Sequence, residues 1–583
     1  MGDGGTFKGV DQGNTRISEI GLREIHGYPY FDALDACAQT VMASFNSWNG
    51  KKLHGYKELL TDILKAEMQF DGFVVGDWNG HGQVEGCSNA KCAQSFNAGV
   101  DMFMVPENWK DLLRNTIKQV KSGEISEARL DEAVRKILTV KSRLGLFNGR
   151  IPHEFKGNYL GHPEHIALAR KAVRESLVLL KNNDKLLPLN PAQHIGIIGD
   201  AANKISSQTG GWTITWQGRE NSNEDFVNVN SIYQALEQFI ISSGGSVEFS
   251  GNGKFSKTPD VVIGVFGEEP YAEMLGDLKD VSFSPTDPKF LPILESVNAQ
   301  SIPTVSIFLS GRPLVVNRQI NASDAFIAAW LPGTAVEGIG DIIFTKDNEI
   351  NYDFTGKLSY SWPKSKDQAA LNFTDSIYDP LFPFGYGLSY ELDIQLEKIQ
   401  TNKTLSKLEL INVFLGAASI PGKEFVVTDS GPEFVMDDDF KSANGKIKIT
   451  RFDYQRQDDA KNIIFIENES LQAFGISTES PVNLSGMISP FYEIVMRVNT
   501  LTNPALYFSV GCGNNCRGSI QLPTDSMTEW STINIPVSCL EKDGLNKNKI
   551  QVRGLFLSEN GVNFDLNSIV IKDGKATGKE VSC

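Results

Sequence analysis

The sequence predicts an α/β protein that ends in an all-β domain. Residues 1–160 and 161–390 alternate short apolar runs with segments of helical hydrophobic spacing, a pattern typical of parallel strands connected by helices. Residues 391–583 lose the helical spacing, and their short runs between turn residues predict an antiparallel β-sandwich. We therefore expect three domains, a number that 583 residues can supply.

The first block contains three predicted strands with helices between them. Thr40–Phe45, Gly72–Val75 and Val100–Pro106 are predicted strands, and Tyr56–Phe70 has helical spacing. The strands are almost continuously apolar, which fits a sheet that is buried on both faces. Three strand–helix units cannot close an eight-stranded barrel. From the residues alone, the block is either a small open sheet or a barrel whose front is missing.

One carboxylate lies at the tip of a predicted strand. The segment GFVVGDWNG, residues 72–80, runs from apolar residues into Asp77 and Trp78 and then into a turn. In parallel α/β folds the chemistry lies at the C-terminal ends of strands, where a side chain is held rigidly and still faces a pocket. Phe45 and Met104 occupy the same kind of position. The alternatives for Asp77 are a helix cap and a salt-bridge partner.

The second block repeats this arrangement. Its predicted strands lie in HIGIIGDAA, VVIGVFGEEP, TVSIFLSGRP and AFIAAWLPG. Charged side chains follow three of these strands: Asp200, then Glu268, Glu269 and Glu273, then Arg312. A glycine-bounded loop, GGWTITWQG (residues 210–218), carries Trp212 and Trp216. Acids and indoles therefore collect at strand ends and loops in this block as well.

The charge balance excludes several functions. The net charge of −16 argues against a nucleic-acid-binding protein, which would present a basic face, and against binding to an anionic membrane surface. No apolar run is long enough to predict a membrane-spanning helix. A neutral substrate such as a sugar is compatible with an acidic chain. Of the seven cysteines, the close pairs Cys87/Cys92 and Cys512/Cys516 either form disulfides in an exported protein or remain reduced.

The sequence lacks the common cofactor-binding and metal-binding motifs. The sequence has no P-loop, no dinucleotide-binding fingerprint after a strand and no HExxH motif. Ser310 lacks the GxSxG context of a nucleophilic serine. The seven histidines lack ligand spacing, and His54, although it lies near a strand end, is more readily explained as a structural residue. We therefore predict no cofactor and no metal.

The remaining candidates, carboxylates and indoles, suit one chemistry. Two carboxyl groups in different environments cleave a glycosidic bond when one attacks and the other gives a proton. Flat aromatic rings stack on the apolar faces of pyranoses. Asp77 with Trp78, an acid from GEEPYAE, and Trp212 with Trp216 fit that chemistry.

These segments resemble family 3 of the glycoside hydrolases. The resemblance covers residues 1 to about 390 and rests on an ordered series of motifs: ASFNSWNGKKLH, GFVVGDWNG, VDMFMVP, RLDEAVRKILTVKSRLGLF, ARKAVRESLVLLKN, GGWTITWQG, GEEPYAEMLGD, LSGRPLVV, AAWLPGTAVEGIGD and DPLFPFGYGLSY. Within the family, the motifs are most similar to those of exo-acting β-glucosidases and β-glucan glucohydrolases.

The resemblance implies a fold and a mechanism. Residues 1–160 would be the C-terminal part of a (β/α)8-like barrel, residues 161–390 an α/β sandwich and residues 391–583 an accessory β-sandwich, with the active site between the first two. Asp77 would be the nucleophile and Glu273 the general acid/base of a retaining hydrolase. In such enzymes the two carboxyl groups lie about 5–5.5 Å apart.

The resemblance also assigns the residues that bind the sugar. Trp78 and Trp216 would flank the leaving-group side of the sugar, and Trp212, Phe45 and Met104 would help to shape the pocket. The partner would be a β-glucan or glucooligosaccharide substrate, with no nucleic acid and no membrane.

The choice of the acid/base follows from the motifs and not from physics. Glu273 is preferred to Glu268 because of its register in PYAEMLGD. The family's N-acetylglucosaminidases and related phosphorylases use a histidine acid/base in the loop near GDGGT, but DQGNTR, residues 11–16, contains no histidine. This difference favours the glucosidase type with two carboxylates.

Departures from the family pattern raise a second hypothesis. A lysine–histidine pair that binds sugar hydroxyls normally lies just upstream of GDGGT, and the chain begins after that point. We expect the signal peptide, about five of the eight barrel strands and several sugar-binding residues to be missing. The chain alone would then be poorly soluble or inactive, a remnant that at most binds glucan, while the full-length protein would be periplasmic or extracellular. Gly76 also replaces the serine common before this aspartate, which we take as a subgroup trait.

Overall fold

The structure of the chain is a computed structural model. It describes residues 1–149, 159, 161–284, 288–401, 410–415, 418–419, 423–435, 440–452, 454, 459–466, 470–484, 487–500, 505–513, 516–574, 576 and 579–581. The chain divides into two compact units, one formed by residues 1–150 and 404–583 and the other by residues 151–403. The division into three domains at residues 160 and 390 stays a prediction. Among the described residues, no helix is both long and apolar enough to cross a membrane.

The N-terminal region of the first unit alternates strands with helices, as the sequence predicts. Its strands are Asn14–Thr15, Thr40–Met42, Ser47–Trp48, Lys51–Lys52 and Phe73–Val75. Its helices are Glu19–Gly21, Leu22–Gly27, Tyr28–Asp35, Glu58–Glu67, Ala93–Ala98, Trp109–Lys121 and Glu127–Arg143, with short helical turns at Asp3–Gly5, Phe7–Gly9, Leu53–Gly55, Gly80–Gln83 and Leu146–Asn148. The helix predicted over Tyr56–Phe70 is therefore present, although it is shorter at both ends.

The strand Phe73–Val75 pairs with a neighbour on each side. It lies parallel to Thr40–Met42, and Val75 forms a parallel bridge to Met102. The Gly76 N–H continues this second contact by donating to the Met102 carbonyl at 2.8 Å. Helices separate these three segments along the chain, so the region has the strand–helix–strand order of a parallel α/β fold.

Two of the predicted strands are shorter than expected. The strand predicted over Thr40–Phe45 ends at Met42, and Val100–Pro106 contributes only the bridge at Met102. A side chain interrupts the second ladder, because the Val74 N–H donates to an Asp101 carboxylate oxygen at 2.8 Å and not to a strand carbonyl. Strand propensity alone does not reveal that a side-chain carboxylate takes the place of a main-chain carbonyl as the hydrogen-bond acceptor.

Asp101 also connects the strand to two helices. Its fully buried carboxylate lies 2.9 Å from the Lys65 ammonium and 2.7 Å from the Arg129 guanidinium. Lys65 belongs to the helix Glu58–Glu67 and Arg129 to the helix Glu127–Arg143. The strand that carries Asp77 at its tip is thus fixed to both helices by one charged group.

The second unit is built on a six-stranded sheet. In spatial order its strands are Val178–Asn182, Ala325–Trp330, Thr304–Leu309, Val261–Gly267, His194–Ile198 and Ser246–Phe249. All neighbouring pairs are parallel except the first, which is antiparallel. Its helices are Pro163–Ser176, Ile205–Thr209, Ile232–Ser242, Phe290–Asn298, Asn317–Asn321 and Glu337–Ile343. Shorter elements are the turns Asn183–Lys185, Asp200–Asn203, Asn223–Asp225 and Glu273–Gly276 and the hairpin Thr345–Lys346/Glu349–Ile350. The four strands predicted in this block are all present.

Apolar clusters cover both faces of this sheet. Within the strand Val261–Gly267, Ile263 and Val265 pack in one cluster and Val262 and Phe266 in the other. Every residue of this strand is buried, which explains why its sequence is apolar without alternation.

The C-terminal region is a β-sandwich, as the sequence predicts. Its nine-stranded sheet contains, in spatial order, Phe440–Lys441, Ile447–Phe452, Ala460–Phe465, Val562–Asp573, Pro490–Val498, Ser531–Pro536 and Lys579–Glu580, with Leu410–Leu415 paired to Val562–Asp573 and Ala418–Ser419 paired to Leu410–Leu415. Its six-stranded sheet contains Gly431–Phe434, Lys423–Thr428, Gln472–Val482, Ile550–Ser558, Tyr507–Gly511 and Arg517–Gln521. The region also has a helix, Val537–Lys542, and a helical turn, Thr524–Ser526. The described pairs are antiparallel except Ser531–Pro536 with Lys579–Glu580.

An apolar core and one buried ion pair join the two sheets of the sandwich. Ile494 and Phe564 of the larger sheet belong to the same cluster as Phe556 of the smaller sheet. Lys461 of the larger sheet pairs with Glu424 of the smaller sheet, and both side chains are nearly inaccessible to solvent. Water cannot solvate either group at this position. Each charge is therefore stabilised by its contact with the other.

Both close cysteine pairs form disulfides in the structure. The Cα atoms are 4.8 Å apart in Cys87–Cys92 and 5.0 Å apart in Cys512–Cys516. Cys539 is also disulfide-bonded, and Cys37 is an exposed free thiol. The reduced alternative for the two close pairs is therefore not what the structure contains.

We expect the substitution Asp101→Asn to lower the free energy of unfolding of the N-terminal region by about 3 kcal/mol, because two buried cations lose their buried anion and keep only the partly exposed Glu132. Chemical denaturation, followed by hydrogen–deuterium exchange of the strand Phe73–Val75, measures the change. Glu295→Gln is the control, since its ion pair with Arg318 is exposed and its loss costs less than about 1 kcal/mol. Equal effects of the two substitutions would contradict the role of Asp101.

Candidate active site

Asp77 begins a tight turn at the end of the strand Phe73–Val75. The Gly80 N–H donates to the Asp77 carbonyl at 3.0 Å, and Asn79 adopts a left-handed conformation with φ of 54°. The Asn79 N–H donates to the Met104 carbonyl at 2.9 Å. The turn is therefore closed on itself and fixed to the neighbouring segment, so that the Asp77 side chain leaves a rigid main chain.

The Asp77 carboxyl is half-buried. Its Oδ1 accepts the Trp78 N–H at 2.7 Å. Burial raises the pKa of Asp77 above its ordinary value, the Trp78 hydrogen bond lowers it, and the nearby charge of Asp3 raises it again. A carboxylate with a raised pKa and little solvation is more basic and more nucleophilic than an exposed one.

A histidine for which the sequence predicts a structural role contacts this main chain. His54 is buried, with 1% of its surface exposed, and its Nε2 accepts the Asp77 N–H at 2.9 Å. Burial lowers the pKa of His54 to about 3, and the charges of His81 and Lys52 act in the same direction. The ring is therefore neutral at physiological pH, with Nε2 unprotonated.

The structure places the other residues predicted for this part of the site around Asp77. Phe45 is buried, and its ring centroid lies 5.9 Å from that of His54. Trp78 is 38% exposed, which leaves its indole accessible to a ligand. Met104 contributes its carbonyl to the Asp77 turn and is half-buried.

A second group of predicted residues lies on two loops of the second unit. In the loop GGWTITWQG, the Trp212 N–H donates to the Trp216 carbonyl at 2.8 Å, and the two indole centroids are 6.3 Å apart. Gly218 closes the loop with φ of 74°, and a Cβ atom there would lie 2.3 Å from the Gly210 carbonyl oxygen. Trp212 is 70% exposed, an unusual state for an indole that is not a ligand-binding residue.

Glu273 contacts one of these indoles. The Trp216 Nε1–H donates to Glu273 Oε1 at 3.3 Å. Glu273 has a φ of 51°, a left-handed conformation that is uncommon outside glycine and asparagine. Backbone strain of this kind occurs where surrounding contacts fix a residue, often at functional sites.

The neighbouring acids Glu268 and Glu269 are committed to ion pairs. Glu269 lies 2.7 Å from the Lys204 ammonium, and Glu268 lies 2.9 Å from the Arg312 guanidinium. Burial raises the pKa of Glu268, and Arg312 opposes that rise. Among these three acids, Glu273 alone is bonded to an indole of the tryptophan loop, which gives a physical reason for preferring it to Glu268.

Arg312 clamps the loop that carries Glu273. Its guanidinium donates to Glu268 before Glu273 and to the Gly276 carbonyl after it. It also lies over the Tyr271 ring, 4.3 Å from the centroid. Both ends of the loop are thus held by one planar cation, an arrangement that suits arginine and not lysine.

The predicted residues therefore fall into two groups. Asp77, Trp78, Phe45 and Met104 lie in the first unit: each is positioned on or beside the same turn. Trp212, Trp216 and Glu273 lie in the second unit, where they contact one another. Each group combines one carboxyl with aromatic surface. Among the described residues, no cluster of three or more histidine, cysteine or acidic side chains could hold a metal ion.

Comparison with known proteins identifies families for three segments. Residues 1–140 match the model of the glycosyl hydrolase family 3 N-terminal domain, and residues 177–390 match that of the glycosyl hydrolase family 3 C-terminal domain. Residues 424–571 match a galactose-binding domain-like family. The first two matches confirm the resemblance found in the sequence, and the third adds a class for the β-sandwich.

Individual relatives agree with these matches. The crystal structure of an exo-1,3/1,4-β-glucanase from a Pseudoalteromonas species is 39% identical, covers 100% of this chain and 73% of its own, and gives a TM-score of 0.67. A lysosomal β-glucosidase of Dictyostelium discoideum is 30% identical over 66% of this chain and 50% of its own length. A periplasmic β-glucosidase of Salmonella typhimurium is 28% identical over 62% and 54%. The chain thus spans about half the length of the curated relatives it matches.

We expect Arg312→Lys to loosen the Glu273 loop, because one ammonium cannot contact Glu268 and Gly276 together. Hydrogen–deuterium exchange across residues 268–276 should rise about tenfold, the effect of losing one charged hydrogen bond. Arg318→Lys is the matched control, since Arg318 pairs with Glu295 at the surface. Unchanged exchange in the loop would show that Arg312 does not clamp it.

Proposed function

The chain belongs to glycoside hydrolase family 3, and we propose that it hydrolyses terminal non-reducing β-D-glucosyl residues of β-glucans or their oligosaccharides. The observation that carries the proposal is the pair of carboxyls in two environments: Asp77 at a strand tip, half-buried beside Trp78, and Glu273 on a clamped loop, bonded to Trp216. Two such acids are what a retaining glycosidase requires.

In the proposed mechanism Asp77 is the nucleophile. A carboxylate oxygen of Asp77 bonds to the anomeric carbon while the bond from that carbon to the leaving oxygen breaks, and Glu273 gives its proton to the leaving oxygen. In the second step Glu273 takes a proton from water, the water oxygen bonds to the anomeric carbon, and the ester bond to Asp77 breaks. The anomeric configuration is retained because the carbon is inverted twice.

Aromatic side chains would hold the sugar. Trp78 and Trp216 would flank the leaving-group side, and Trp212, with its exposed indole, would offer a face for a pyranose ring. Phe45 and Met104 would shape the pocket around Asp77. The acidic chain would not repel such a substrate, because glucosyl residues are neutral.

The relatives support a glucan as the substrate class. The glucanase that covers the whole chain is named for 1,3- and 1,4-linked β-glucan, and the relatives from Dictyostelium discoideum and Salmonella typhimurium are named as β-glucosidases. We therefore propose exo-acting hydrolysis of β-glucan.

We also propose that the first predicted domain forms part of a (β/α)8-like barrel and that the full-length protein is periplasmic or extracellular. Parallel contacts of Phe73–Val75 with Thr40–Met42 and with Met102, separated along the chain by helices, support the first proposal. Two disulfides support the second, because such bonds persist in oxidising compartments.

The test uses 2,4-dinitrophenyl β-glucoside, whose leaving group needs no proton, beside an unactivated aryl glucoside. We expect Asp77→Ala to abolish hydrolysis of both substrates. Glu273→Ala should slow cleavage of the unactivated substrate by a factor of about 10³. It should retain the first step with the activated substrate, because that leaving group needs no proton, but it should hydrolyse the glycosyl-enzyme slowly. Azide should then replace water in the second step, restore turnover and give the β-glucosyl azide. The first sugar released by the unsubstituted protein should be β-glucose by NMR.

The remnant hypothesis gives a different result in the same experiment. A soluble, folded chain without turnover that still binds oligosaccharide in a calorimeter would favour a glucan-binding protein. Equal activity of Asp77→Ala and the unsubstituted protein would overturn the assignment of the nucleophile.

We expect Asp77→Asn to be inactive and yet more stable than the unsubstituted protein at pH 7. The pKa of Asp77 is higher in the folded chain than in the unfolded chain, so the unfolded chain loses its proton first as the pH rises. The contribution of Asp77 to stability therefore falls above about pH 4 and stays low at neutral pH. An asparagine carries no charge and avoids this loss.

Thermal unfolding midpoints at pH 7 and pH 3 measure the effect. The gain should be present at pH 7 and absent at pH 3. Asp71→Asn is a control of opposite sign, because Arg143 lowers the pKa of Asp71; that substitution should lower the midpoint at pH 7. A gain of equal size at both pH values would contradict the electrostatic explanation.

A further inference from the structure

The proposed reaction uses no histidine, yet a buried histidine contacts the main chain of the proposed nucleophile. His54 is 1% exposed and lies 23 residues before Asp77, on the helical turn Leu53–Gly55. A fully buried titratable side chain directly below a reacting residue requires an explanation. The simplest alternative is a purely structural role, in which the ring only fills space in the core.

The hydrogen bond between these residues has a defined direction. The Asp77 N–H donates to His54 Nε2 at 2.9 Å, so Nε2 is unprotonated and the proton of the neutral ring is on Nδ1. On its other side, the Asp77 carboxylate accepts the Trp78 N–H at 2.7 Å. Together the two bonds fix the peptide before Asp77 and the orientation of its carboxylate.

The ring is held in place by close neighbours. The Phe45 ring lies 5.9 Å away, centroid to centroid, at an angle of 42°. On another side is Gly80, where a Cβ atom would lie 2.3 Å from His54 Cε1 and 2.4 Å from Nε2. Gly80 is part of the turn that Asp77 begins. His54 thus contacts the turn at both its first and its fourth residue.

A residue that only filled space would not need a nitrogen at this point. Replacement of the ring by an apolar side chain of similar volume would keep the packing and leave the Asp77 N–H without its acceptor. A buried donor without a partner is costly, so the peptide would rotate toward another acceptor. Because the pKa of His54 is about 3, the acceptor stays available throughout the neutral pH range.

We propose that His54 is a positioning residue, which orients Asp77 for attack by accepting its main-chain N–H while contacting Gly80 across the same turn. The inference rests on the proposed role of Asp77 as nucleophile. His54 does not touch the substrate and exchanges no proton in the reaction. Its contribution is to hold the carboxylate within a fraction of an ångström of the attacking position, where small displacements cost large factors in rate.

The test compares two variants of His54, one that keeps the hydrogen-bond acceptor and one that keeps only the packing. His54→Gln keeps an oxygen that can accept at the position of Nε2, and His54→Leu keeps an apolar side chain of similar volume without an acceptor. The probe is 2-deoxy-2-fluoro-β-glucosyl fluoride, which traps the glycosyl-enzyme ester, and mass spectrometry locates the label. The quantities compared are the maximal rate of inactivation and the probe concentration that gives half of it.

We expect His54→Leu to lower the maximal rate of labelling at Asp77 by about 10² with little change in the half-saturating concentration. His54→Gln should recover most of that rate. Leu112→Ala, which removes a buried side chain on the helix Trp109–Lys121, controls for loss of stability and should label normally. Equal rates for the Leu and Gln variants would overturn the inference.

A second variant approaches the same contact from the turn. Gly80→Ala introduces the Cβ atom that meets the His54 ring, and it should reduce labelling at Asp77 while His54 itself is unchanged. Normal labelling of this variant would also count against the inference. If the unsubstituted protein carries its label on another residue, the assignment of Asp77 fails. That result is distinct from failure of the His54 role, in which Asp77 is labelled and the variants label equally fast.

Discussion

The strand Phe73–Val75 keeps its position because a single buried carboxylate holds it to the helices behind it. The Asp101 carboxylate accepts a hydrogen bond from the Val74 N–H and forms ion pairs with Lys65 and Arg129, which lie on separate helices. Three secondary-structure elements therefore share the Asp101 charge, and Glu132, which lies 3.3 Å from both cations, is the second anion of the cluster. The Asp77 turn, the contact with Met102 and the ring of His54 are all built on this fixed strand.

The two proposed catalytic acids are held by different means that suit different tasks. Asp77 is held mainly through its main chain, by His54 and by the turn, and its carboxylate is oriented by the Trp78 N–H alone among the hydrogen bonds of the described residues. Glu273 is held through its side chain, by the Trp216 indole, and its loop is clamped by Arg312. A nucleophile needs exact placement of one oxygen, whereas a proton donor needs reach and a defined environment. The two arrangements reflect that difference.

The sequence predicted the parts of this architecture that depend on local pattern. Buried parallel strands appear as apolar runs, and Asp77 became a candidate because it lies two residues after such a run. The local sequence could not decide between Glu268 and Glu273 as the acid/base. The cations that pair with Glu268 and Glu269 lie 44 and 65 residues away along the chain.

Other features depended on contacts between a side chain and a distant main chain. His54 accepts an N–H from a residue 23 positions later, and Asp101 takes an N–H 27 positions earlier. Neither contact leaves a periodic trace in the sequence. The role of His54 beside Asp77 was therefore missed, and the contact of Asp101 made a predicted strand shorter than expected.

The left-handed conformation of Glu273 affects how such a loop would evolve. For a residue other than glycine this conformation costs about 1–2 kcal/mol, so folding alone would favour glycine there. In a lineage released from selection for turnover, this acid would be among the first residues to drift, and the loop would gain stability as it lost its proposed proton donor.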